Sequence, residues 1–205
     1  MRNTNTGSMA SDSASSIKKI TVAAMLAALS YVLAFLEIPM PFSPFLKFDF
    51  SDFPAMLAAL MFNPLYGVVI ECIKNALRII NSSSGGIGEL ANFIMGSSFI
   101  LSASLLFRRK RTVKNTVISF AVACVVMGIV AGFTNYFILL PLYSQFMPID
   151  RIIASVGEIF PFIKSKTDVC IYHVFPFNII KGIIIAATTA IVLPKLSAVI
   201  NRKKA

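Results

Sequence analysis

The sequence predicts an all-α membrane protein, a six-transmembrane-helix bundle with a lid-like first extracellular loop and cytoplasmic termini. Three observations carry this. Of 205 residues, 57% are hydrophobic and only 14% charged, against about 25% charged in soluble domains. Apolar runs approaching the roughly 20 residues of a bilayer crossing recur along the chain. Basic and acidic residues also segregate to opposite ends of these runs. With the N-terminus inside, Arg2, Lys18, Lys19, Arg108, Arg109, Lys110, Arg111, Lys114, Lys195, Arg202, Lys203 and Lys204, 12 of 19 basic residues, are cytoplasmic. Glu37, Asp49, Asp52, Glu89, Asp150, Glu158 and Asp168, seven of nine acids, then lie at the outer end. The net charge of +10 is therefore a topology signal, and the basic patches carry no nucleic-acid motif.

Taken in order, residues 1–16 are rich in Ser, Thr and Asn and read as a disordered tail; 17–200 is one transmembrane domain and 201–205 a basic cytoplasmic tail. The first span, 17–38, is too long for a signal peptide and lacks a cleavage box. Pro54 to Phe62 is a short second helix and Pro64 to Ile80 a third, joined by a tight Asn63-Pro64 turn. The fourth helix runs 89–107. Val113 to Leu140 is a long fifth, tilted or overshooting the membrane. Over 147–171, Ile152, Ile153, Val156, Ile159 and Phe160 follow helical spacing, as in a half-buried surface helix. Phe175 to Val199 is the sixth span.

The loop before the second helix interleaves Phe45, Phe48, Phe50 and Phe53 with Lys47, Asp49 and Asp52 among four prolines. Such a stiff aromatic segment can fold back over a bundle and close an apolar cavity, or pack as an ordinary lid on helix ends. Polar groups at membrane depth face a bundle interior or a cavity. Asn178 and Lys181 share a face of the sixth helix, and Asn135 and Asn92 lie at comparable depth on the fifth and fourth. Together they point to a ligand site; the competing reading is interhelical bonding, with Lys181 paired to an acid such as Glu89. Glu71, Lys74, Asn75 and Arg78 on the third helix form a second set, read as an internal salt bridge that orders the bundle.

Small residues mark close helix approach: Ala23, Ala27, Ser30 and Ala34 on the first helix with Ala24 and Ala28 beside them, and Gly128-x-x-x-Gly132 on the fifth. No catalytic residue or metal site is expected. There is no P-loop, no nucleophile elbow and no zinc-protease motif. His173 reads as a surface histidine, and Cys72, Cys124 and Cys170 as packing residues.

Phe45-Leu-Lys-Phe-Asp-Phe-Ser-Asp-Phe-Pro-Ala and Asn63-Pro-Leu-Tyr-Gly resemble the substrate-binding S components of energy-coupling factor (ECF) transporters. Ile73-Lys-Asn, Gly88-Glu-Leu-Ala-Asn-Phe and Phe175-Pro-Phe-Asn-Ile-Ile-Lys-Gly resemble the riboflavin-specific members. The resemblance spans about residues 18–195. It implies a subunit of a bacterial plasma-membrane vitamin importer, with no cofactor, whose transported ligand is riboflavin. The partners it implies are a transmembrane T component and two ATPase subunits, docking at Ala23, Ala24, Ala27 and Ala28. ATP hydrolysis in those partners would topple the S component and release the vitamin inside. It also implies that Asn135, Asn178 and Lys181 hold the flavin, with Asn92 nearby and Phe45, Leu46, Lys47, Phe48 and Asp49 closing above. Alternatives are another vitamin, the flavin phosphate, an intramembrane enzyme or a purely structural subunit.

Overall fold

The computed structural model describes residues 5–43, 45–109 and 112–202, with side chains over 16–43, 45–109 and 112–194. Arg2, Lys110, Arg111, Lys195, Arg202, Lys203 and Lys204, on which part of the expected orientation rests, lie outside the described side chains, as does the 201–205 tail. Helix α1 runs Asn5–Leu33 and takes in much of the stretch that composition reads as a tail. A two-residue hairpin follows, β1 (Ile38–Pro39) antiparallel to β2 (Lys47–Phe48). Then come α2 (Asp52–Met61), α3 (Pro64–Arg78), α4 (Ile87–Phe107) and α5 (Val113–Thr134). The last two helices are α6 (Ile149–Gly157) and α7 (Phe175–Arg202).

Among the described residues, four stretches are long and apolar enough to cross a membrane: Ser16–Leu33, Ile87–Phe107, Val113–Tyr143 and Lys166–Pro194. The chain is thus a helical, multi-pass membrane protein. At 10 and 15 residues, α2 and α3 fall short of the roughly 20 a full crossing requires.

The shorter of these two helices sits deepest. Helix α2 packs against α1, α3, α4 and α7, and from Pro54 to Leu60 every side chain is buried. A helix apolar all round belongs at such a centre. The Asn63-Pro64 turn works as predicted: Asn63 Oδ1 accepts from Leu65 N at 3.2 Å, and Pro64 takes the first helical position, where no N–H is needed. On α1, Ala23 and Ser30 turn inward, as does Ala34 just past its end, and Ala27 is half-buried, whereas Ala24 and Ala28 are exposed. The two alanine pairs therefore face different surroundings. Gly128 brings α5 against α7, since a Cβ there would lie 3.0 Å from Ile179.

The connection from 144 to 172 departs from expectation. The surface helix α6 stops at Gly157 and buries only Ile152 and Val156. Residues 166–174 instead belong to the final helical column, which opens at Ser165 with a reciprocal capping box to Asp168. Two π-helical turns, Asn135–Leu139 and Val169–Val174, extend α5 and precede α7. Each lies two residues before a proline, Pro141 or Pro176. A proline ring clashes with the carbonyl four residues back and donates no N–H, and a widened turn relieves both defects without breaking the helix.

Where α2, α3 and α4 meet, Gly67 leaves no spare room: a Cβ would stand 2.6 Å from Ile100 Cγ2 and 2.8 Å from the Ala55 carbonyl oxygen. Gly67→Val is expected to destabilise the bundle by about 1–3 kcal/mol, read as a lowered thermal midpoint of the purified protein.

Candidate functional site

The start of α2 and the three residues before it hold a buried ionic network. Ser30 Oγ of α1 donates to the Ser51 carbonyl at 2.6 Å, and Ser51 N donates to Asp49 Oδ1 at 2.8 Å. From α3, Lys74 Nζ donates to Ser51 Oγ at 2.6 Å and to Asp52 Oδ1 at 2.5 Å, and lies 2.8 Å from Glu71 Oε2. From α7, Lys181 Nζ lies 3.0 Å from Asp52 Oδ2 and 3.3 Å from Asp49 Oδ2. Asn92 of α4 completes the link: its Oδ1 is 3.4 Å from Lys181 Nζ and its Nδ2 3.5 Å from Asp49 Oδ2. Lys74, Glu71 and Asp52 have no exposed surface, and Lys181 is 5% exposed. Gly96 of α4 makes space for this, because a Cβ there would sit 2.7 Å from Glu71 Oε2. Burial pushes the Asp49 carboxyl up, but Lys181, Lys74 and the Ser51 hydrogen bonds outweigh it and hold it well below the usual carboxylate range.

Two polar sets that sequence spacing separates are therefore one. Asp52 bridges Lys74 and Lys181, and the counter-ions of Lys181 are Asp49 and Asp52 rather than Glu89. Glu89 instead accepts from Ser82 Oγ at 2.6 Å and lies 4.0 Å from Arg78 Nε. Helical spacing on one strand of sequence could not show a bridge between three elements; the only signal for Asp52 is an acid at a helix start among phenylalanines.

Beside the network lies a cavity of about 350 Å³. Phe45, Leu46, Lys47, Asp49, Asn92, Asn135, Asn178 and Lys181 all line it. Phe48 does not. It alternates with Lys47 across β2, turns into the protein and stacks edge-on against Phe50 at 5.0 Å. Asn135 and Asn178 each donate Nδ2 to a carbonyl four residues back, Ala131 at 2.9 Å and Val174 at 2.8 Å. Their Oδ1 atoms stay available as acceptors, and the Asn92 amide adds a donor. Apolar walls come from Ala91, Met95, Ile152 and Phe177. At the mouth, Lys47 Nζ reaches Glu37 at 2.7 Å and Ser83 at 3.0 Å, tying the hairpin to the turn before α4. Tyr143, Phe146 and Met147 also line the cavity. Nothing in the sequence marks them, because they lie beyond the last regular turn of α5.

His173 is corrected as well. It is buried in the π-helical turn, ringed by Phe42, Phe45 and Phe160 with centroids 5.8, 5.9 and 6.0 Å away.

The chain resembles known proteins over most of its length. A family model described as "ECF transporter, substrate-specific component" matches residues 18–193. The chain belongs to the ECF-transporter S components. This S component is 35% identical to the riboflavin transporter RibU of Staphylococcus aureus (strain TCH60), over 90% of the chain and 93% of that protein. It is 36% identical to the riboflavin transporter FmnP of Bacillus subtilis (strain 168), over 92% and 96%. A solved structure described as the S component of a bacterial ECF transporter aligns with a TM-score of 0.72 at 34% identity, covering 90% of this chain and 98% of that one.

Because Lys181 balances two buried carboxylates, Lys181→Met is expected to lower thermal stability, by about 3–5 kcal/mol for a broken buried pair. Adding Asp49→Asn to that variant should recover part of the loss. Thermal unfolding of the two variants side by side reads the difference.

Proposed function

We propose that this S component captures riboflavin in the 350 Å³ cavity and hands it to an ATP-driven importer. The observation that carries the reading is the cavity itself: apolar and aromatic walls, with amide and ammonium groups gathered at one level. Its volume lies within the roughly 300–1,000 Å³ of small-molecule sites. An isoalloxazine ring is flat and mostly apolar, with a pyrimidine edge that both donates and accepts. Phe45, Met95 and Phe177 cover the faces. Asn135 and Asn178 present acceptors to the edge, and Asn92 presents a donor. The riboflavin transporters of S. aureus and B. subtilis, at 35% and 36% identity, support the choice of flavin over another vitamin.

In this reading the six-helix bundle consists of the four spanning columns with α2 and α3 packed among them. The cavity opens outward, at the end where the hairpin, the start of α4 and the end of α5 converge. Both termini face the cytoplasm, following the basic residues near Lys18 and Arg108. The hairpin acts as the lid, and Lys47 latches it to Glu37 and Ser83. Partners are a transmembrane T component and two ATPases, and the exposed Ala24–Ala28 face suits close helix docking better than the inward Ala23 stripe.

The purified chain is expected to bind riboflavin one to one, read by quenching of flavin fluorescence; absence of binding at micromolar concentrations would refute the proposal. Asn178→Leu removes an acceptor, and an unpaired ring donor costs about 1–3 kcal/mol, so affinity should fall about five- to 150-fold. Ala28→Trp should keep riboflavin binding and lose uptake in cells, because it props α1 away from a docked helix. Equal uptake by Ala28→Trp and the wild type would remove this face from the docking surface.

A further inference from the structure

Among the described residues that line the cavity, the cations are Lys47, Arg78 and Lys181, and each is committed to a carboxylate. Lys181 sits between Asp49 and Asp52. Lys47 meets Glu37 at 2.7 Å. Arg78 pairs with Glu37 and lies 4.0 Å from Glu89. The start of α4 would ordinarily offer free amides to an anion, but here the turn closes on itself. Ser84 N and Gly86 N donate to Ser82 Oγ at 3.2 and 2.8 Å, and Gly88 N donates to Ser84 Oγ at 2.8 Å. Gly85 and Gly86 adopt positive φ, 63° and 91°, which lets so short a turn fold inward.

Into this turn projects Glu89, buried and lining the cavity. Its Oε2 accepts from Ser82 at 2.6 Å and Ser84 at 3.4 Å, so the carboxylate is fixed in place. An ionised carboxylate accepts hydrogen bonds and donates none. It therefore suits hydroxyls and repels a phosphate, which carries a charge of about −1.5 to −2 near neutrality. The rigid flavin ring needs the apolar walls near Met95 and Phe177, so the flexible polyhydroxyl tail is left toward Glu89 and the mouth.

We infer that Glu89 makes the cavity selective for the unphosphorylated flavin: its carboxylate receives the tail hydroxyls and turns away a 5′-phosphate. This rests on the flavin reading above. It goes further in assigning discrimination between two flavins to a single side chain and to the absence of an uncommitted cation beside it.

The test is a pair of fluorescence titrations, riboflavin and riboflavin 5′-phosphate, on detergent-purified full-length protein at pH 7.5. The wild type should favour riboflavin by at least tenfold. Glu89→Gln should narrow that ratio about tenfold or more, chiefly by improving phosphate-ester binding. Glu37→Gln, which frees Lys47 and Arg78 to meet an anion, should narrow it too and stands as the second arm if the first variant does not fold. A purely structural role for Glu89 would weaken both ligands alike and leave the ratio unchanged, which overturns the inference. Equal wild-type affinity for both ligands overturns it without any variant. A wild type that binds riboflavin but fails these ratios sinks this inference alone; one that binds neither flavin sinks the function with it.

Discussion

The rest of the structure hangs on the carboxylate of Asp52. One of its oxygens meets Lys74 at 2.5 Å and the other lies 3.0 Å from Lys181, so a single side chain at the head of α2 ties α3 to α7. Asp49 and Asn92 extend the tie to the hairpin and α4, and Ser51 extends it to α1. Charges without solvent are costly singly and tolerable only when every partner is present. The network is thus all-or-none. That property gives a bundle of otherwise slippery apolar helices one defined arrangement, since sliding any element by a turn strands a charge.

The same arrangement explains why a ten-residue helix can occupy the centre. Helix α2 rises about 15 Å, roughly half the hydrocarbon thickness of a bilayer. It has no need to reach water at the cavity end, because its first turn is met by lysines and serine hydroxyls supplied from neighbouring helices. The shortfall in length becomes the space above it: the cavity lies beside the level at which α2 begins, floored by the ion pairs and walled by longer helices. Fold and site are therefore one problem. A full-length second helix would fill the volume a ligand requires.

Much of this was legible in the amino-acid order, and the misses have physical causes. Apolar run length located the four spanning columns, and the Asn63-Pro64 punctuation separated α2 from α3 as observed. Asn135, Asn178 and Lys181, which line the cavity, stand out in sequence as polar groups against lipid-facing residues. Phe48 stays out of the cavity because β2 alternates, turning every second side chain away. The beginning of the last column at Lys166 was hidden by Lys166, Asp168 and His173, whose polarity masks a span that caps itself through Ser165. Most consequential, Asp52 reads as one charge of the aromatic loop and Glu71 as a partner of Lys74 and Asn75 on its own helix. Only the packing of three elements puts Asp52 between Lys74 and Lys181.

The two widened turns bear on how the chain compares with its relatives. A π-turn holds one residue more than the α-helical turn it replaces, yet the helix on either side keeps its direction and phase. A homologue lacking a single residue within 135–139 or 169–174 would close the bulge and leave Phe120, Phe177 and the cavity wall facing as before. Single-residue gaps inside a membrane helix normally signal a misalignment, because everything beyond them rotates by about 100°. In these two helices such gaps are admissible. The proline two residues downstream, at 141 or 176, marks where to expect them, and its replacement should accompany the loss of the extra residue.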